Sequence, residues 1–386
     1  MKIKPNLNKI IRVTTVPGSL NTFCRGLLRE LQQKEGYEIV AVSSPDEELS
    51  EIAERERVKT VAVPMERRIS PLKDLKSLWR MIKVFRREKP QMIHSMTPKA
   101  GLLSMIAGWV CRVPVRIHTF TGLVFPTSTG LTKKILIFTD SLTCACATHI
   151  IPEGEGVKND LQNYRITRKP LKVLGHGNVR GIDLEHYNPE LPEVRAEADR
   201  LRKPGVFTFV FIGRLVGDKG INELIEAFKA ISKENKNTRL VLVGSEEQEL
   251  DPLLPETLKE IERHPRIEAV GEQSDVRPWL LASDAFIFPS YREGFPNVVI
   301  EAGAMGLPSI VTNINGSREI IIEGENGTII PVRDSDALYV AMKKFMSEKA
   351  LIKEMAEKAR PLIASRFEQS YVRSCLKEFY RAAIHR

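Results

Sequence analysis

Short apolar runs closed by glycine or proline recur along this chain, each followed by a segment of helical periodicity. Phe207-Thr-Phe-Val-Phe-Ile-Gly213 and Ala285-Phe-Ile-Phe-Pro289 are the plainest. A strand with no polar alternation is buried on both faces, and burial on both faces belongs to parallel sheets covered by helices. The repeated strand–helix order therefore points to an α/β architecture of doubly wound sheets. The 386 residues suffice for two such domains.

In the first half, Lys9–Val16 reads as the opening strand, Pro17-Gly18-Ser19 as a loop and Asn21–Glu35 as a helix. Gly18, at the carboxyl edge of the sheet, either only turns the chain or lets the backbone approach a ligand. Further strands are predicted at Glu38–Ser43, Val58–Val63, Met92–Ser95, Val115–Thr119 and His149–Pro152. Helices are predicted at Pro71–Lys89, Pro98–Val110 and Leu131–Ala145. His118 ends its strand ahead of Thr119-Phe-Thr-Gly122. A polar cluster at a strand's carboxyl end is where open α/β sheets bind ligands, so His118 is a candidate site residue, its alternative being that of a lone structural histidine.

Charge separates the halves. Residues 1–175 carry 29 Lys and Arg against 16 Asp and Glu, whereas residues 176–386 carry 29 against 33. A basic first half suits an anionic surface. In Pro71–Lys89, Leu72, Leu75, Leu78, Trp79, Ile82 and Phe85 fall at helical spacing, as do Lys73, Lys76, Arg80, Lys83 and Arg87. The basic stripe is either a membrane-surface element or a solvated face over an ordinary core face. Pro98–Val110 is apolar on more than one face, so it is either buried or partly lipid-facing. No stretch is long enough to span a bilayer, no leader precedes the first strand, and the five cysteines lack metal or disulfide spacing, which fits a reducing cytoplasm.

Gly175–Asp183 and the run to Glu193 read as a linker. Domains are accordingly expected at 1–180 and 181–366, with a terminal helix over 367–386. In the second domain, Arg214 and Lys219 occupy a glycine-flanked strand-to-helix loop after Gly213. Arginine forks onto phosphate oxygens and lysine supplies a point charge. Glu293-Gly-Phe-Pro-Asn-Val-Val-Ile-Glu301 reads as a strand end, a tight loop and a helix start, with Asn297 as N-cap. A helix N-terminus attracts phosphate. Carboxylates on either side of it suit hydroxyls, one for each sugar of a diphosphate that carries a sugar at each end. An isolated pair at this spacing is more simply a solvated loop acid and a helix-surface residue. Asp334-Ser-Asp336 precedes a helix and is read as an N-cap, not a metal site.

Gly213-Arg214-x4-Lys219-Gly220, Val243-Gly244, Gly271 and Glu293-Gly-Phe-Pro-Asn-x3-Glu301, in this order, resemble the second domain of family-4 retaining glycosyltransferases of the GT-B fold. The first half is similar through Pro17-Gly18, His94-Ser-Met-Thr-Pro-Lys99 and Val115-Arg-Ile-His-Thr-Phe-Thr-Gly122, which look like bacterial capsule and lipid-linked oligosaccharide transferases. Gly18-Ser19 departs from the two glycines of many relatives.

The resemblance implies two Rossmann-like domains facing a cleft, with the terminal helix crossing back to the first. It implies that Arg214 and Lys219 hold a diphosphate, capped by the backbone of Asn297 and Val298. Glu301 would take the ribose hydroxyls and Glu293 those of the donor sugar, with Gly294, Phe295 and Pro296 lining that pocket. Gly18, Gly213 and Gly244 would approach the ligand, and His118 would orient the reacting sugar.

The implied reaction moves an N-acetylhexosamine or related sugar from a UDP-sugar to a polyprenyl-diphosphate-linked saccharide. No cofactor and no metal is expected, and the enzyme is placed at the inner face of the plasma membrane, on an anionic surface. A nucleotide-sugar epimerase on this fold and a non-catalytic glycan-assembly subunit are the rivals. The basic helix disfavours the first, and the joint presence of Arg214, Lys219, Glu293 and Glu301 the second. Nucleic-acid binding is not expected, since the basic stripe lacks interleaved aromatics.

Overall fold

The computed structural model describes residues 6–66, 70–247 and 251–384. Contacts divide the chain into two units, Met1–Arg180 with Ser370–Arg386, and Gly181–Gln369. The first holds β1 (Asn6–Val13), β2 (Glu38–Ser43), β3 (Lys59–Ala62), β4 (Pro90–Met96), β5 (Val115–Phe120) and β6 (His149–Pro152), in the order β3-β2-β1-β4-β5-β6. The second holds β7 (Phe207–Ile212), β8 (Thr238–Val243), β9 (Ile267–Gly271), β10 (Ala285–Phe288), β11 (Ser309–Thr312) and β12 (Gly327–Ile330), in the order β12-β11-β10-β7-β8-β9. All pairings between these strands are parallel, so this is the doubly wound α/β architecture expected. The order reverses at β1/β4 and at β7/β10.

The unbroken apolar strands are explained by two cores on one sheet. Ile11, Val13, Val40 and Ile93 pack on one face of the first sheet, and Ile10, Ile39, Ala41 and Met92 on the other. Successive strand residues point to opposite faces, so neither face can be polar.

The opening helix differs from its expectation. Pro17 starts it, as a proline at the first helical position does, so Gly18 lies in a helical turn rather than a loop. Gly26, at φ +74°, then separates helix Pro17–Cys24 from helix Leu27–Gln33.

Helix Pro71–Glu88 corrects the apolar stripe. Its buried side is Ser77, Met81, Val84, Phe85 and Glu88. Leu72, Leu75 and Trp79 are 84%, 63% and 57% exposed. Helix Pro98–Val110 packs between this helix and Gly130–Cys146 and is mostly buried, with Trp109 and Val110 exposed at its end.

The terminal helix, Gln369–Ile384, sends Leu376, Phe379, Tyr380 and Ala383 into the core of the first unit. Arg373 and Lys377 pair with Glu30 at 3.0 and 2.9 Å, and Arg381 with Glu35 at 2.5 Å. Residues 385 and 386 of the expected helix lie outside the described residues.

Gly101, inside helix Pro98–Val110, sets the distance of that helix from the sheet. A Cβ there would stand 2.3 Å from Cε1 of His118. His118 cannot step aside, being bonded to Ser95 at 2.9 Å and set edge-on to Phe120 at 4.5 Å. Helix propensity alone favours alanine over glycine by about 1 kcal/mol. Overpacking opposes this gain, and we expect Gly101→Ala to destabilise the protein by roughly 1–3 kcal/mol. Urea denaturation should show a lowered midpoint with an unchanged slope, and an unchanged midpoint would refute the packing account.

Candidate active site

In the second unit the candidate residues gather at the carboxyl edge of β7 and β10, where strand order reverses. Open α/β sheets bind ligands at such a point because neighbouring loops run apart there and leave a crevice. The loop after β7 carries Arg214 and Lys219, and the loop after β10 carries Glu293. Two glycines let the strand-end loops pack closely, Gly220 between the loops after β7 and β10 and Gly244 between those after β8 and β7. Gly220, at φ +72°, has so little room that a Cβ would fall 2.2 Å from the carbonyl oxygen of Pro289. At Gly244, at φ +143°, a Cβ would fall 1.9 Å from the carbonyl oxygen of Gly213. A side chain at either position would force loop backbones apart.

Lys219 donates to Glu293, which also accepts from Ser290 Oγ at 2.9 Å. The Lys219 ammonium lies 5.4 Å from the centroid of the Phe288 ring. Both members of the pair are largely covered, at 15% and 18% side-chain exposure. Arg214 is half exposed and pairs with Glu247 at 2.6 Å. The cations and the carboxylates thus compensate one another, and an anionic ligand would exchange with the carboxylates.

The helix after this loop, Asn297–Ala304, has Pro296 at its N-cap and no side-chain cap. Asn297 is therefore its first helical residue rather than the cap expected. The start of a helix carries the positive end of its dipole, which favours an anionic ligand. Glu301 is 9% exposed, so it is not the helix-surface residue of the simpler reading. Val298 is half-buried beside it. Phe295 departs from its expected place: its ring is buried 5.5 Å from the Phe367 ring, so Gly294, Phe295 and Pro296 offer a ligand mainly backbone.

Sequence reasoning missed the groups that brace these loops. Asp251 accepts from the Asp218 N–H at 2.5 Å, and Tyr291 N–H donates to the Asp218 carbonyl at 2.8 Å. The Tyr291 hydroxyl donates to Glu223. These partners are far apart in sequence and follow no local pattern. Asp334 accepts from the Ala337 N–H at 2.8 Å, as its reading as an N-cap requires.

The first unit holds Gly18 and His118. His118 is 1% exposed, under helix Pro98–Val110, and not on an open surface. Burial pushes its pKa down to about 3. Beside it lies a network that the sequence did not disclose. Buried Arg12 contacts His94 Nδ1 at 2.6 Å and donates to the Tyr380 hydroxyl at 2.5 Å, while His94 Nε2 meets Thr119 Oγ1 at 2.7 Å. Burial, and then the Arg12 charge, hold His94 well below the usual histidine range.

Two doubly wound units are the architecture of GT-B glycosyltransferases, and the chain belongs to family 4 of that class. Residues 195–361 match the family described as Glycosyl transferases group 1, and residues 18–177 match the Glycosyl transferase 4-like domain. The chain is 31% identical to the capsular polysaccharide biosynthesis glycosyltransferase CapM of Staphylococcus aureus, over 97% of both chains. It is 28% identical to the UDP-Gal:α-D-GlcNAc-diphosphoundecaprenol α-1,3-galactosyltransferase of Escherichia coli, over 83% of each. The fold matches that of Anabaena HepE, crystallised with UDP and glucose, at a TM-score of 0.80 and 17% identity, covering 97% of this chain and 99% of that one.

The two buried histidines give the first unit an acid sensitivity of definite sign. Both are neutral in the fold, whereas an unfolded histidine titrates near 6.5. Below that pH the unfolded state binds more protons, so stability falls as pH falls. The slope is about 1.4 kcal/mol per pH unit for each histidine, and for His118 it continues down to its folded value of about 3. Denaturation at a series of pH values between 6.5 and 4 should show this slope, and His118→Asn should lessen it. An equal slope in the variant would show that His118 is not its source.

Proposed function

We propose that the protein is a retaining glycosyltransferase that moves a sugar, an N-acetylhexosamine or a related one, from a UDP-sugar to a polyprenyl-diphosphate-linked saccharide during surface polysaccharide assembly. The observation that carries this reading is the meeting of Lys219 with Glu293 at the β7/β10 edge, beside the start of a helix that bears the buried Glu301. The relatives support its direction. CapM is named for capsular polysaccharide, and the Escherichia coli enzyme for a UDP-sugar donor and a diphosphoundecaprenol-linked acceptor.

The mechanism follows from where charge develops. Breaking the sugar–phosphate bond leaves negative charge on the diphosphate and positive charge on the sugar. Lys219, Arg214 and the helix start at Asn297 and Val298 stabilise the leaving diphosphate, and these groups make a metal unnecessary. Glu301 holds the ribose hydroxyls. Glu293, released from Lys219 when the diphosphate takes that cation, turns to the hydroxyls of the donor sugar. A leaving phosphate that stays on the face from which the acceptor attacks takes the acceptor proton, which gives retention. His118, enclosed under its helix, serves by positioning Ser95 and the β5 edge rather than by touching substrate. The basic first half meets an anionic membrane at the cytoplasmic face, where such an acceptor resides.

Purified protein, incubated in excess EDTA with UDP-sugars and a polyprenyl-diphosphate saccharide, should give a product one sugar heavier with the donor's anomeric configuration. Lys219→Ala and Arg214→Ala should each lower kcat by about a hundredfold, the scale of one lost transition-state contact of about 3 kcal/mol. Arg214→Ala, at a half-exposed position, should unfold near the wild-type midpoint, whereas Lys219→Ala, which leaves the covered Glu293 without its cation, should unfold at a lower one. Near-normal turnover in both variants would remove the diphosphate assignment.

A further inference from the structure

Leu72, Leu75 and Trp79 do not serve the core, and they do not stand alone. Trp109 on helix Pro98–Val110, and Leu131 and Phe138 on helix Gly130–Cys146, are exposed as well. The three helices lie side by side in one layer of the first unit, the Pro98–Val110 helix in the middle. Single exposed apolar residues are ordinary on a protein surface. Six large ones on one three-helix layer form a patch of the kind that marks an interaction site.

The polar residues of this layer tell what covers it. Lys73, Lys76, Lys83, Arg86, Arg87 and Lys134 are exposed on it. None of the exposed residues of the three helices is acidic. Their carboxylates are withdrawn: Asp74 pairs with Lys99 at 2.5 Å, and Glu88 is buried against Lys9 and Lys59. Asp140 is half-buried, and burial pushes it up to about 7. Lys83 sets its ammonium 3.3 Å above the Trp79 ring, the arrangement of an amphipathic side chain with its stem on apolar surface and its charge outward. A second copy of the chain would bring like charges together on this face. An anionic bilayer offers acyl chains to the tryptophans and leucines and phosphates to the lysines.

We infer that the outer face of helices Pro71–Glu88, Pro98–Val110 and Gly130–Cys146 inserts its apolar side chains into the boundary between headgroups and acyl chains of an anionic bilayer. This rests on the reading that the acceptor is carried by a membrane lipid. It goes further, because adsorption through lysines alone fades within a few ångströms at high salt, whereas insertion persists.

The test uses the full chain with vesicles of phosphatidylcholine and phosphatidylglycerol at three to one. Wild-type protein should co-sediment at both 0.15 M and 0.5 M NaCl, with a blue shift of tryptophan emission and quenching by brominated acyl chains. Leu72→Gln/Leu75→Gln/Trp79→Gln should bind about tenfold or more weakly at 0.15 M and not at all at 0.5 M. All three side chains are exposed, so this variant should unfold at the wild-type midpoint. Lys73→Gln/Lys76→Gln/Lys83→Gln should lose the preference for phosphatidylglycerol and keep the blue shift. An unshifted emission in bound wild type, or equal binding of the apolar triple variant, would overturn insertion. Concentration-dependent dimers without lipid that the triple variant abolishes would assign the face to a second copy instead. UDP-sugar binding, measured without vesicles, should be the same in wild type and the triple variant. Its absence in wild type would remove the proposed function and leave the vesicle result standing.

Discussion

The backbone of Gly220 lies against the carbonyl of Pro289, and this close approach holds the working edge of the second unit together. It brings the loop after β7 onto the loop after β10, which is why Lys219 reaches Glu293 although the two are far apart in the chain. The same approach places both loops beside the start of helix Asn297–Ala304. The sheet supplies the direction: parallel strands end on one side, and the reversal at β7/β10 leaves a crevice there. Charge compensation then keeps the edge stable without a ligand. A covered lysine and a covered glutamate each satisfy the other, and a diphosphate would replace the carboxylate on the lysine while its sugar takes up the glutamate.

Most of this was legible because it rests on local chemistry. The strands announced themselves through apolar runs that admit no polar face, and Glu38–Ser43 and His149–Pro152 have the ends their sequences indicate. The second-unit candidates lie on adjoining loops because a strand-to-helix connection always emerges at the same sheet edge. What the sequence did not disclose depends on partners distant in the chain. Asp251 under Asp218, Glu223 under Tyr291, and Tyr380 against Arg12 and His94 are contacts that only folding creates. Phe295 was misplaced for a similar reason, since its ring follows Phe367 into the core.

Periodicity failed most instructively in helix Pro71–Glu88. Leucines and a tryptophan at helical spacing normally mark the buried stripe. Here the buried stripe is Ser77, Met81, Val84, Phe85 and Glu88, and its polar members are satisfied: Ser77 Oγ donates to the Lys73 carbonyl at 2.9 Å, and the buried Glu88 pairs with Lys9 and with the half-exposed Lys59. Leu78 and Ile82 pack partly buried against this core, and Leu72, Leu75 and Trp79 were free to face outward beside the lysines. His118 erred in the other direction. Its place at a strand end suggested an open site, but Gly101 lets the neighbouring helix close over it.

The central claim is that the two carboxylates around the Asn297 helix start serve different sugars of one ligand. Saturation-transfer NMR on a UDP-sugar bound to the full-length protein separates the two contacts. Glu301→Gln should reduce transfer to the ribose protons and spare those of the donor sugar, and Glu293→Gln should do the reverse. A uniform loss in both variants, or no change in either, would contradict the account.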